Sequence, residues 1–140
     1  MPEEQCIFCQ IASGAVSARK VYEDEQIICV LDINPANPGH VLIIPKDHYS
    51  VLPQFPDELI GHVGKVIKHM SLAMLKSLGI QGTTTFIANG AVAGQRAPHI
   101  IIHLIPRAQG DGVFPQPQVS QKRPVSDKAD LDKITEVLSG

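Results

Sequence analysis

The sequence predicts an α+β fold: a five-stranded, mostly antiparallel sheet with one long helix, followed by an extended C-terminal tail that holds a short helix. Three observations carry that expectation. Short β-branched apolar runs are bounded by turn residues, a single three-to-four spaced apolar stripe separates the third run from the fourth, and composition changes after Arg107. The 140 residues suit one domain, with residues 1–107 as its body and 108–140 as an extension packed on it.

The first strand is expected within residues 18–24, where apolar and polar positions mix before the turn Glu23-Asp24-Glu25. Residues 26–33 are apolar and β-branched and read as a buried strand; Cys29 within them is a small buried hydrophobe. Asn34-Pro35-Ala36-Asn37-Pro38-Gly39 is a long turn signal, and His40-Val41-Leu42-Ile43-Ile44-Pro45 follows as a third strand, completing an antiparallel meander. Pro56-Asp57-Glu58 opens a helix whose first-turn acids complement its dipole. Leu59, Val63, Val66, Ile67, Met70, Met74 and Leu78 then recur at helical spacing over about 22 residues, up to Gly79. That stripe is core, with surplus apolar width that suits a dimer partner. Residues 83–88 and 99–105 read as two further strands joined by the loop 89–98. Residues 108–126 are rich in Gly, Pro, Gln and Ser, and 127–138 make a short helix with Leu131, Ile134, Val137 and Leu138 on one face.

Composition excludes several functions. Twelve Lys and Arg against fourteen Asp and Glu give a net charge of −2, so no broad basic field exists to hold a nucleic acid. No apolar run approaches the roughly 18–20 residues of a bilayer span. The acidic start Met1-Pro2-Glu3-Glu4-Gln5 does not resemble a secretory leader, which makes the cytoplasm the expected location. Three cysteines, an odd number, argue against a disulfide framework there.

Cys6-Ile7-Phe8-Cys9 places two thiols at a spacing that can grip one metal ion or act as a redox pair. A structural zinc needs two more ligands from His40, His48, His62, His69, His99 and His103. His62 and His69 lie among lysines on the helix and read as surface residues, whereas His48 and one of His99 or His103 are better placed. In Pro98-His99-Ile100-Ile101-Ile102-His103-Leu104-Ile105-Pro106 the isoleucines favour a strand over a helix. His99, Ile101 and His103 then share one face, with the two histidines about 13 Å apart, too far to chelate one ion. They need separate jobs. The loop Asn89-Gly90 to Gly94-Gln95-Arg96 either aims backbone N–H groups at a phosphate or is a tight hairpin loop. Asp32 either grips ribose hydroxyls or caps the turn at Asn34-Pro35.

Taken together, these motifs resemble the histidine-triad (HIT) family of nucleotide hydrolases and transferases, in its zinc-containing branch. The likeness runs over residues 6–107, about three-quarters of the chain, through Cys6-Ile7-Phe8-Cys9-Gln10-Ile11, Tyr22-Glu23-Asp24, Asp32-Ile33-Asn34-Pro35, Gly39-His40-Val41-Leu42-Ile43-Ile44-Pro45-Lys46-Asp47-His48 and the run from Gly94 to Arg107. The resemblance implies a homodimer with a purine nucleoside monophosphate site for an AMP- or GMP-like ligand. Phe8, Ile11 and Ile33 would sandwich the base, and Asp32 would take the ribose. Asn89, Gly94, Gln95 and His103 would surround the α-phosphate, while Cys6, Cys9, His48 and His99 would hold zinc.

One departure bears on activity. The family's signature is His-x-His-x-His, and its middle histidine attacks the α-phosphorus; here that position is Ile101, which has no lone pair to attack with. Most of the usual nucleotidyl-histidine chemistry should therefore be absent, leaving a binding protein. The alternative is a nucleotide hydrolase or transferase acting on phosphoramidates, adenylates or dinucleoside polyphosphates, with His103 as the catalytic residue, alone or through a water. Arg96 stands where relatives carry a hydroxyl residue, and adds charge near the phosphate.

Overall fold

The structure, a computed structural model, describes residues 5–113 and 127–139. In chain order it contains α1 (Ile7–Ser13), β1 (Lys20–Glu23), β2 (Ile27–Leu31), β3 (Val41–Pro45), α2 (Asp57–Ser77), β4 (Gly82–Phe86), β5 (Ile102–Arg107) and α3 (Lys128–Ser139). The five strands form one sheet in the order β1-β2-β3-β5-β4, and every pairing is antiparallel. The expected meander is present as β1-β2-β3, and β5 inserts between β3 and the edge strand β4.

The helix side of the sheet holds the larger core. Leu59, Val63, Val66, Met70 and Met74 recur every three or four residues along α2 and are buried. They pack on Ile27, Cys29, Ile43, Ile100, Ile102 and Leu104. Each such side chain contributes roughly 1.5–3 kcal/mol through removal from water. The opposite face carries Ile28, Val30, Leu42 and Ile44, covered by Phe8, Ile11 and Ala12 of α1 and by Ile101. With both faces covered, β3 is buried at every position and β2 at all but its last, so these strands read as continuous apolar runs without polar alternation.

The sequence reading did not foresee α1. It is seven residues long, lacks a side-chain N-cap, and has no acid or base at either end. Its one legible mark is Gly14, left-handed at φ 86, which closes the helix with its N–H on the Ile11 carbonyl. A second boundary also differs. β5 begins at Ile102 and not at residue 99, because the preceding segment turns toward the loop after β3, where the Ile100 N–H donates to the Tyr49 carbonyl at 2.7 Å. The alternation survives this bend: Ile100, Ile102 and Leu104 face α2, while Ile101 joins the opposite cluster.

Two polar networks pin the ends of the sheet. At the β1–β2 turn, Asp24 accepts from the backbone N–H groups of Gln26 and Ile27, from the Tyr22 hydroxyl at 2.7 Å, and pairs with His62 of α2 at 2.6 Å. His62, expected to be a surface residue, is half-buried here and ties the helix to this turn. Burial works against the Asp24 carboxylate, but these hydrogen bonds outweigh it and hold its pKa at about 2. At the other end, Arg107 donates to both carboxylate oxygens of Asp111 at 2.8 and 2.9 Å and to the Thr84 hydroxyl at 2.9 Å. Asn37 bridges the Pro106 carbonyl and Asp111. Gly39, at φ 95, sits where an added Cβ would lie 2.8 Å from Leu78, so this turn can approach the end of α2 only without a side chain.

The short terminal helix is present as α3, started by Asp127, whose carboxylate accepts the Asp130 N–H at 2.9 Å. All its described residues are exposed, including Leu131, Ile134, Val137 and Leu138. Of the extended stretch expected over 108–126, residues 114–126 lie outside the described residues. Among the described residues, no helix is long and apolar enough to cross a membrane.

Candidate functional site

Two clusters of titratable side chains flank Ile101. The first joins Cys6, Cys9, His48 and His99, whose nearest donor atoms all lie within 4.8 Å of one another. Cys6 sits at the N-cap of α1 and Cys9 in its first turn, so the x-x spacing brings both thiols to one side. His99 is fully buried. Its Nε2–H donates to the Pro45 carbonyl at 2.9 Å, which leaves the Nδ1 lone pair directed at the Sγ atoms of Cys6 (3.5 Å) and Cys9 (3.4 Å). His48 Nδ1 lies 3.1 Å from Cys9 Sγ. A tetrahedral zinc with bonds of about 2.3 Å to sulfur and about 2.0–2.1 Å to nitrogen requires N···S separations of about 3.5 Å. The cluster therefore has the donor set and spacing of a closed N2S2 metal site. The fixed His99 tautomer is the kind of outer hydrogen bond that orients an imidazole ligand.

The second cluster is Asp32, His40 and His103. Its proton positions follow from a donor that has no choice. The Ala36 backbone N–H donates to His40 Nδ1 at 3.0 Å, so His40 carries its proton on Nε2. That Nε2–H lies 3.0 Å from His103 Nδ1 and donates to it. His103 Nδ1 is thus an acceptor, its own proton is on Nε2, and no described residue accepts that N–H. Burial pushes the pKa of both imidazoles down, and His40 lowers that of His103 further, against the pull of Asp32. Both rings are therefore neutral at pH 7. Phe86 stacks on His103 with ring centroids 4.4 Å apart and planes within 5°.

A cavity of about 560 Å³ opens over these residues, within the range that holds small ligands. Of the residues expected at a nucleotide site, Phe8, Asp32, Gly94, Gln95, Arg96 and His103 line it, with His99 and Ile101 beside them. Three others do not. Ile11 packs on the sheet, Ile33 is 88% exposed, and Asn89 uses its Oδ1 to accept the Leu52 N–H at 3.0 Å. Asp32 caps the turn, as one of its two readings had it: one carboxylate oxygen accepts the Asn34 N–H while the other lies 3.7 Å from His40.

Gln95 lines the cavity but spends its side chain on the loop. Its Oε1 accepts the Gly90 N–H, and its Nε2 donates to the carbonyls of Ser50 and Ala97. The backbone N–H groups of Ala93, Gly94 and Gln95 also close on carbonyls within the loop, leaving those three unavailable to a ligand. Sequence reasoning missed Phe86 as well; the cross-strand register that sets Phe86 opposite His103 was its signal.

Comparison with known proteins places these features in context. The HIT domain family model matches residues 13–110. An uncharacterised HIT-like protein of Methanocaldococcus jannaschii is 40% identical over 135 residues, covering 96% of this chain and 99% of that protein. An adenylylsulfatase of Arabidopsis thaliana is 38% identical over 109 residues, 78% of this chain and 55% of its own length. Among solved structures, a zinc-bound histidine triad family protein from Mycobacterium smegmatis superposes with a TM-score of 0.76 at 31% identity, covering 95% of this chain and 99% of that one.

Proposed function

This chain belongs to the HIT domain family, and from that premise we propose that it binds a purine nucleoside monophosphate, holds zinc, and lacks the nucleotidyl-histidine step. The observation that carries the reading is the one-way proton chain from Ala36 through His40 to His103. It makes His103 a hydrogen-bond donor toward the cavity, suited to a phosphate oxygen and unsuited to attack phosphorus or deprotonate water. At the alternate position along the same segment Ile101 lines the cavity with an aliphatic side chain, so no nucleophile stands there. Phe8 offers an aromatic face to the base, and the Asp32 carboxylate offers acceptors to the ribose hydroxyls.

Zinc, when bound, supplies a closed four-coordinate crosslink between the chain's start, the loop after β3 and the segment before β5. Cys6, Cys9, His48 and His99 would hold it. What this contributes to the cavity is position: His99 is fixed between the Pro45 carbonyl and the thiols, and the segment leading to Ile101 and His103 is anchored with it. Three cysteines without a disulfide suit a reducing compartment such as the cytoplasm. A homodimer is supported by the unpaired edge strand β4, together with exposed Leu72 and Leu75 on the adjoining helix and Leu78 just past its end.

The second reading, an active hydrolase, draws on the relative named as an adenylylsulfatase. It requires a base at the cavity that the His103 tautomer does not provide. AMP release from adenosine 5′-phosphoramidate, measured for the chain and for Ile101→His side by side, separates the two. Silence from the chain with release by the variant is expected. Turnover by the chain itself overturns the binding reading and establishes the hydrolase.

A further inference from the structure

Arg96 is the one Lys or Arg among the residues lining the cavity. Its side chain is exposed to the opening, and it makes no ion pair or hydrogen bond to any described residue. Arg107, by contrast, is consumed by Asp111, Thr84 and the Val113 carbonyl. The loop that carries Arg96 is held in place around it, because Gln95 straps Gly90, Ser50 and Ala97 together on either side. A free guanidinium on a fixed loop presents a planar fork of donors, matched to two oxygens of a phosphate or sulfate.

The remaining polar groups of the cavity explain what that fork is for. His103 brings a single neutral N–H, which serves one oxygen of an α-phosphate. The loop's own N–H groups at Ala93, Gly94 and Gln95 are already bonded internally. Asp32 faces the same space with a negative charge, so without Arg96 the cavity would be net repulsive to anions. Arg96 brings it back to neutrality and supplies a two-donor fork for oxygens that the single His103 N–H does not serve.

Building on the mononucleotide reading above, we propose that Arg96 is a specificity residue. It selects nucleotides whose α-phosphoryl group carries a further anionic group, a phosphate or sulfate, over the bare nucleoside monophosphate. The shared chemistry is a second tetrahedral oxyanion attached through the α-phosphate, as in a nucleoside diphosphate or an adenylyl sulfate.

Calorimetric titration of the full chain with AMP and with ADP tests this, repeated on Arg96→Ser and Arg96→Lys. The expected result is ADP binding about tenfold more tightly than AMP to the chain as it stands. Arg96→Ser should erase that preference by lowering ADP affinity more than it lowers AMP affinity, and Arg96→Lys should keep only part of it. Equal affinity for AMP and ADP, or a preference that survives in Arg96→Ser, overturns the role of Arg96 and leaves the mononucleotide reading intact. Heat from neither nucleotide at millimolar concentration overturns both. Unchanged thermal melting of the two variants establishes that a lost preference is not a lost fold.

Discussion

His99 and His103 lie four residues apart on one segment and do opposite things, and the difference is set by a single backbone group in each case. The outer nitrogen of His99 meets a carbonyl, that of Pro45, so its proton is drawn outward and a lone pair is turned inward to the thiols. The outer nitrogen of His40 meets an N–H, that of Ala36, so its proton is driven inward, onto the bond with His103. The first cluster therefore converges lone pairs, as a cation requires; the second relays hydrogen-bond donation outward, as an anion requires. Asp32, His40 and His103 have metal-ligand residue types and lie close enough together, yet both nitrogens of His40 are already committed. Residue type alone would have called both clusters metal sites.

The largest effect should come from breaking the cation-binding side. Cys6→Ser together with Cys9→Ser removes both sulfur ligands of the proposed metal site. Structural zinc contributes apparent energies of about 10–16 kcal/mol in small zinc peptides, and this chain, with its own core, should lose a fraction of that. Metal analysis is expected to fall from near one zinc per chain to near zero, with the melting temperature lowered by more than about 10 °C. His103→Phe, on the other side, should leave metal content unchanged and melting nearly so. Equal metal content in the thiol variant and the parent would remove the distinction between the clusters.

A smaller effect sharpens the anion-binding side. His40→Phe takes the donor away from His103 Nδ1 and frees that ring to change tautomer. Loss of one directed hydrogen bond is worth about 1 kcal/mol, so AMP affinity should drop about fivefold to tenfold. The zinc should stay. If His40→Phe instead released the metal, the two clusters would not be independent units.

The sequence showed much of this in outline and missed what depended on backbone direction. Reading 99–105 as a strand separated His99 from His103, and the two do fall in different clusters, although the strand itself begins only at Ile102. Cys-x-x-C announced the thiol pair. The Ala36 N–H was invisible, since its aim depends on how a Pro-rich turn folds back over four residues. So was the ion pair of Asp24 with His62, whose partners are 38 positions apart and share no pattern. A seven-residue helix with no N-cap side chain gives a periodicity signal too short to read. The resemblance put Gln95 at the phosphate; it does line the cavity, while its side chain closes the loop.

The smallest expected effect is the second cluster's own contribution to the pH dependence of stability. His40 and His103 have pKa values pushed below 6.5 by burial, so the folded state resists protonation that the unfolded chain accepts. For such groups the unfolded state binds more protons as pH falls, and stability falls with it. Their contribution is whole above the unfolded value of 6.5 and is lost as pH drops through the folded values below it. Acid would also displace a metal held by the first cluster, so a melt of the chain alone would mix the two effects. The double variant His40→Phe/His103→Phe keeps Cys6, Cys9, His48 and His99, and with them whatever the metal contributes at each pH. Subtracting its melting temperature from that of the parent between pH 7.5 and 5.5 isolates the relay. The parent should lose a few degrees more than the variant over that interval. A parallel loss in both would mean that acid acts elsewhere in the chain, and that the neutral state of the relay adds nothing to the fold.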